Sequence, residues 1–244
     1  MKLTGWEKKY ATILKKFKYS RKKDMKAARF LNSILKTKFP IKKLEKKIKN
    51  QTVFVIGAGP SLVSAIPLLK KYNNVTKIVA DGATKALIEN KIWPDIVVTD
   101  LDGNQKFLEK ASRSNSIMVV HSHGDNIDKL LLASNFKYCV GTTEGRPFGK
   151  IHNFGGFTDG DRCVFLASYF DAKKIILFGM DFGAKIGKYS KDRIYDKSTK
   201  LRKLEEGAKL LQWLATKNVC QFYTTSKQIR GFKKIRYSDV EKIV

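Results

Sequence analysis

Pro94-Asp95-Ile96-Val97-Val98-Thr99-Asp100-Leu101-Asp102-Gly103 is a short β-branched run bounded by proline and glycine, and it ends in two carboxylates spaced i, i+2. Ile and Val between such breakers read as a strand buried on both faces, the kind found in parallel sheets. In open α/β sheets, ligands bind just beyond the carboxyl ends of the strands. Two carboxylates there suggest a cation. Aspartate is short and acceptor-only, so a pair at a strand end can hold Mg²⁺ and leave its other positions to water and substrate phosphates. A turn cap at Asp100 and a solvent-facing Asp102 would explain the same residues without a metal.

Outward from this strand the same rhythm continues. Short β-branched runs are predicted at Thr52 to Ile56, Lys77 to Ala80, Ile117 to His121, Tyr138 to Val140 and Lys174 to Phe178, with helices between most of them. Alternation of this kind is the signature of βαβ units and a mainly parallel sheet, hence a Rossmann-like α/β core over residues 51–183. Residues 1–50 read as a basic helical N-terminal segment. Leu3, Trp6, Tyr10, Ile13, Leu14 and Phe17 fall three and four apart on a first helix, and Arg21 to Leu35 and Ile41 to Ile48 follow, the last opened by Pro40. Residues 184–244 read as a C-terminal extension: a polar lid-like loop (Gly183 to Lys200), a helix carrying Leu201, Leu204, Leu210, Leu211 and Leu214, a short strand at Cys220 to Thr224, and a basic tail.

The net charge of +27 is unevenly placed: +15 in residues 1–50, +3 in 51–180 and +9 in 181–244. Excess charge at the ends favours solubility and a general pull on anionic ligands over a dedicated nucleic-acid site, because no nucleic-acid motif accompanies it. No apolar run approaches the roughly 18 residues that span a bilayer, and the first residues lack a signal-peptide core. Cys139, Cys163 and Cys220 are scattered without a CxxC spacing. The chain therefore reads as soluble and cytoplasmic with buried thiols, and a homo-oligomer is left open.

The other strand ends carry chemistry as well. After Val53-Phe54-Val55-Ile56 comes Gly57-Ala58-Gly59-Pro60-Ser61-Leu62, a glycine turn into a helix, which would let backbone N–H groups approach a phosphate. Leu62 stands where a dinucleotide fingerprint has its third glycine, which argues against a nicotinamide enzyme. Ala80-Asp81-Gly82-Ala83 ends the second strand, and His121-Ser122-His123-Gly124-Asp125-Asn126 the fourth. The two histidines lack thiolate partners and are read as donors to phosphate, or as an acid or base, rather than as a zinc site. Asn153-Phe154-Gly155-Gly156-Phe157-Thr158-Asp159-Gly160-Asp161-Arg162 offers glycines, aromatic faces and carboxylates suited to a flat polar heterocycle, with Thr158 or Asp159 as a helix cap. Phe178-Gly179-Met180-Asp181 ends the sixth strand.

Taken in order, GAGPSL, ADGA, PDIVVTDLDG, HSHGDN, NFGGFTDGDR and FGMDFG closely resemble the archaeal-type 6-hydroxymethyl-7,8-dihydropterin pyrophosphokinases over about Val53 to Gly183, and the helix around Trp6 also looks like that family. The acidic motifs are more distantly similar to those of thiamine pyrophosphokinases. The same broad family contains glycosyltransferase-like motility proteins, which keeps a second enzyme class open. The resemblance implies transfer of the β,γ-diphosphate of ATP to the hydroxymethyl group of a reduced pterin, with release of AMP, on the way to folate or a methanopterin-type coenzyme. It implies Mg²⁺ held by Asp100 and Asp102, with Asp81 or Asp159 as further ligands or supports. ATP and its phosphates would then meet Gly57, Gly59, Pro60, Ser61, Asp81, Gly82, Gly124, Asp125 and Asn126, while His121, His123 and Arg162 offset developing charge. The pterin would contact Phe154, Gly155, Gly156 and Phe157, with Asp159, Asp161 or Asp181 facing its 2-amino and N3 groups. A basic nucleic-acid-binding protein is the competing class, and it leaves the acidic sheet edge unexplained.

Overall fold

The computed structural model describes residues 4–183, 185–190, 196–217 and 219–244. Leu3 and parts of the expected lid, Ala184 and residues 191–195, lie outside the described residues. Nine strands form one parallel sheet: β1 (Thr52–Ile56), β2 (Thr76–Ala80), β3 (Ile96–Thr99), β4 (Ile117–His121), β5 (Cys139–Thr142), β6 (Ile151–His152), β7 (Lys174–Phe178), β8 (Gln221–Thr224) and β9 (Lys233–Lys234). Their order is β6-β5-β4-β3-β2-β1-β7-β8-β9. From β1 the chain marches outward to β6, then crosses back to place β7 on the other side of β1, so the direction of winding reverses between these two strands. That reversal is where an open α/β sheet parts to leave a crevice.

Because successive strand residues point to opposite faces, each apolar run feeds two cores. Val53, Val55, Ile78, Ile96, Val98, Ile175 and Leu177 bury on one face with α7 (Asp159–Tyr169) and α8 (Lys197–Ala215). Phe54, Ile56, Val79, Ile176 and Phe178 bury on the other with α4 (Leu62–Lys71) and α5 (Asp81–Glu89). Further along that second face, Val97, Met118 and Val120 pack with α6 (Gln105–Arg113) and α2 (Arg21–Ile34).

The N-terminal segment is built into the core. Trp6, Tyr10 and Ile13 of α1 (Trp6–Phe17) are buried, the Trp6 ring standing 5.6 Å from Phe165 of α7, and Leu44 and Ile48 of α3 (Lys42–Ile48) join the same cluster. The expected strands occur within one or two residues, except that the fifth runs on from Cys139 to Thr142 rather than ending at Val140. Cys163 is a buried free thiol, and Cys139 and Cys220 are half-buried. Among the described residues, no helix is long and apolar enough to cross a membrane.

Candidate active site

The carboxyl ends of β1, β2, β3 and β7 and the start of α7 open onto a cavity of about 310 Å³. Asp100, Asp102 and Asp159 line it, and together with the buried Asp81 each offers a carboxylate oxygen; these atoms all lie within 4.8 Å of one another. Different elements deliver them. Asp81 opens α5 directly after β2, Asp100 and Asp102 follow β3, and Asp159 is the first residue of α7.

Asp81 is buried, and its Oδ2 accepts from Thr99 Oγ1 at 2.5 Å and from the Gly103 N–H at 3.1 Å. Among the described residues its Oδ1 is buried without a partner. Burial, then the charge of Asp100, pushes its pKa up to about 7, and the same two causes hold Asp159 well above the ordinary carboxylate range. Such crowding is costly unless a cation is present, and an all-oxygen donor set with a carboxylate oxygen lacking any partner fits a hard divalent ion.

The glycine turn does a different job from the expected one. Gly57 N–H donates to Phe178 O (2.9 Å), Gly59 N–H to Gly179 O (2.8 Å) and Ser61 N–H to Asp181 Oδ2 (2.9 Å). These amides are already engaged and do not form an open phosphate cradle. A Cβ on Gly59 would stand 2.6 Å from Gly179 O, so glycine is needed because β7's exit loop lies against it. Gly57, Gly59, Pro60, Gly82 and Asp181 still line the cavity, whereas the Ser61 hydroxyl faces Ser226 at 3.0 Å. Cationic side chains line the same cavity: Lys185, and Lys200 and Lys203 of α8. The leucine pattern of α8 drew attention to its buried side, and the i, i+3 lysines were the signal overlooked.

The HSHGDN segment departs further from expectation. His121 is buried, with Nδ1 3.1 Å from Thr142 Oγ1 and Nε2 2.7 Å from Glu144 Oε2, the latter a close contact without hydrogen-bond alignment. Burial and the charge of Arg162 lower its pKa to about 4, so the ring is neutral near pH 7, and it does not line the main cavity. Asn126 is a clip: its amide donates to Asp100 O (2.7 Å) and His121 O (2.8 Å) and its oxygen accepts the His123 N–H (3.0 Å), tying the loops after β3 and β4 together. Gly124 N–H is taken by Asp24 Oδ1 of α2 at 2.8 Å, and Asp125 is exposed and does not line this cavity. His123 remains near the cluster, its Nε2 3.6 Å from Asp100 Oδ2.

Within NFGGFTDGDR the roles also divide. Phe154 is a core residue packed on Tyr169 and Phe170. Asp161 is wholly buried and caps α7, accepting from the Phe157 N–H (2.6 Å), the Thr158 N–H (2.8 Å) and the Thr158 hydroxyl, which leaves Asp159 and Asp181 as the expected acids that reach the cavity. Gly155 and Gly156 have φ of 81° and 91°, and a Cβ on Gly156 would meet Arg162 Cα at 2.6 Å, so they serve the close fit of the loop on α7. Arg162 is buried between Glu144 Oε1 (2.5 Å) and Asp159 Oδ1 (3.2 Å); its charge holds the carboxylates in place and does not line the main cavity. Burial works against the Glu144 carboxylate, but His121 and the permanently charged Arg162 more than offset this and hold its pKa well below the ordinary range. Glu144 had gone unrecognised, although Thr143-Glu144-Gly145 after β5 repeats the acid-then-glycine ending of β2 and β3.

Comparisons with known proteins identify the family. A family model described as 6-hydroxymethylpterin diphosphokinase MptE-like matches residues 27–187. A Pyrococcus furiosus protein named 6-hydroxymethyl-7,8-dihydropterin pyrophosphokinase is 46% identical over 222 residues, 88% of this chain and 94% of its own length. One of the same name from Methanocaldococcus jannaschii is 41% identical over 239 residues, covering 91% and 99%. Among solved structures, the MAf glycosyltransferase from Magnetospirillum magneticum AMB-1 superposes with a TM-score of 0.53 at 15% identity, over 87% of this chain and 39% of that one, a likeness of fold. Matched along most of its length to relatives of one name, with the acidic strand ends inside the matched span, the chain belongs to the MptE-like 6-hydroxymethylpterin diphosphokinase family.

Proposed function

We propose that this protein transfers the β,γ-diphosphate of ATP to the hydroxymethyl group of 6-hydroxymethyl-7,8-dihydropterin and releases AMP. The observation that carries the reading is the cluster Asp81, Asp100, Asp102 and Asp159 at a lysine-lined cavity at the β1/β7 reversal. Asp100 and Asp102 would hold Mg²⁺, with Asp81 and Asp159 beside them; the ion would neutralise phosphate charge and raise the electrophilicity of the β-phosphorus. Lys185, Lys200 and Lys203 bind the triphosphate, and Pro60 and the glycines on either side of Ala58 shape the wall beneath it.

Diphosphate transfer asks for charge neutralisation and in-line placement more than for covalent help. The acceptor's alcohol oxygen bonds to the β-phosphorus, the bond from that phosphorus to the α,β-bridging oxygen breaks, and AMP carries that oxygen away. Asp159, whose raised pKa makes it a better base than an ordinary aspartate, takes the alcohol proton. Glu144 and Arg162 hold Asp159 in position. Incubation with ATP, Mg²⁺ and the dihydropterin is expected to give AMP and diphosphorylated pterin in equal amounts. ADP as the nucleotide product, or intact ATP, would overturn the reading.

A further inference from the structure

A second, smaller cavity lies beside the first, between α1 and α2 on one side and the exits of β3, β4 and β5 on the other. Tyr10, Tyr19, Asp24, His123, Glu144 and Arg162 line it. Asp100, Phe157 and Lys203 belong to both cavities, so one acid of the cluster stands at their common wall. We infer that this second cavity, framed by the N-terminal helices, is the subsite for the acceptor's fused heterocycle, while the nucleotide occupies the first. The inference rests on the diphosphate-transfer reading above and adds to it which substrate lies where.

Three independent features carry it. In-line displacement requires acceptor and leaving group on opposite sides of the transferred phosphorus, and two cavities meeting at Asp100 supply two such sides. The second cavity also has acceptors of its own: beside Lys18, Lys23, Lys203 and Arg162 it holds the buried carboxylates of Asp24 and Glu144, which accept from N–H groups.

The third feature is a donor left over. Arg162 is buried, its two terminal nitrogens face Glu144 and Asp159, and among the described residues its Nε has no acceptor. A buried N–H without a partner on a cavity wall is a docking point for a ligand acceptor. Asp24 accepts one hydrogen bond on each oxygen, from the Gly124 N–H at 2.8 Å and the Tyr10 hydroxyl at 2.6 Å, and each oxygen keeps a free lone pair. A guanidinium N–H and a carboxylate lining one cavity complement the pterin edge, where the 4-oxo acceptor adjoins the N3 and 2-amino donors. The ring's flat face has a surface to lie on: Phe157 stands 4.9 Å from Phe17 and 6.3 Å from Tyr19, and Phe17 and Tyr19 stack with an interplanar angle of 18°.

The test measures binding of the fluorescent oxidised analogue 6-hydroxymethylpterin and, separately, of MgADP, to the full chain and to its Tyr19→Ala, Tyr19→Phe and Asp24→Asn variants, with circular dichroism as the check on folding. Tyr19 is half-buried, so its truncation tests the site even if Asp24→Asn fails to fold. Expected are a tenfold or greater loss of pterin affinity in Tyr19→Ala, recovery in Tyr19→Phe, a similar loss in a folded Asp24→Asn, and MgADP binding within threefold throughout. Unchanged pterin binding in Tyr19→Ala, or weakened MgADP binding instead, would overturn the subsite. The AMP assay separates the two readings: a wild type that forms AMP while the variants bind pterin normally refutes the subsite alone. A wild type that binds pterin through these residues and forms no AMP refutes the proposed reaction alone.

Discussion

Two groups of buried charge lie side by side on the sheet edge, and they are balanced differently. Around Glu144, one carboxylate is met by the guanidinium of Arg162 and the ring of neutral His121, and its pKa is held down. Around Asp81, oxygens of four carboxylates lie within 4.8 Å of one another, burial and the charge of Asp100 push the pKa values of Asp81 and Asp159 up, and among the described residues one buried Asp81 oxygen has no partner. Glu144 has its counter-charge in Arg162, whereas the second group is where, under the proposed function, a divalent cation would add positive charge.

The sharpest way to break this comparison is to neutralise one member on each side. Asp100→Asn and Asp102→Asn are expected to lower Mg²⁺-dependent turnover by at least about a hundredfold, while thermal melts of the metal-free variants match or exceed the wild type because repulsion is relieved. Near-normal steady-state rates in both would remove them from the metal site. Glu144→Gln is expected to act the other way round. It leaves Arg162 buried without its main counter-charge, a loss of about 3–5 kcal/mol, and denaturant unfolding would show it; unchanged stability would mean that the pair is not a support.

The smallest effect is a pH dependence. An unfolded aspartate releases its proton near 3.8, whereas folded Asp81 does so near 7. Between these values the folded state binds more protons, so metal-free stability falls as pH rises through that window. Mg²⁺ competes with those protons, so its stabilising shift in melting temperature should be a few degrees larger at pH 8 than at pH 5.5. A shift that does not change with pH would argue that Asp81 is not linked to the cation.

Much of this architecture could be read from residues in a row. β1, β3, β4 and β7 are apolar runs long enough to betray strands buried on both faces, and Asp81, Asp100 and Asp102 stand where each strand stops. β6 and β9 are two residues each and carry no periodicity. Phe154 looked like a loop aromatic because its neighbours are glycines, yet the short strand before it turns it inward to Tyr169. Asp161 and Asp159 are alike in composition, and only the capping geometry of α7 separates a helix cap from a cavity wall. Asp24 was beyond local reading, because its partner Gly124 lies 100 residues away and the lone acid of a basic helix has no meaning until that helix docks.

The strand order carries a consequence for how the protein comes into being. β1 through β6 can pair each with its predecessor as the chain lengthens, since every new strand joins the edge just made. The β1/β7 pairing must wait until residue 178 has been made, and it closes a loop of more than a hundred residues, the slow kind of step in folding. The crevice at that pairing therefore cannot exist in a nascent or partly folded chain. Under the proposed function, nucleotide binding would report that β7 has docked, and a ligand for that crevice acts on refolding only after the long loop has closed.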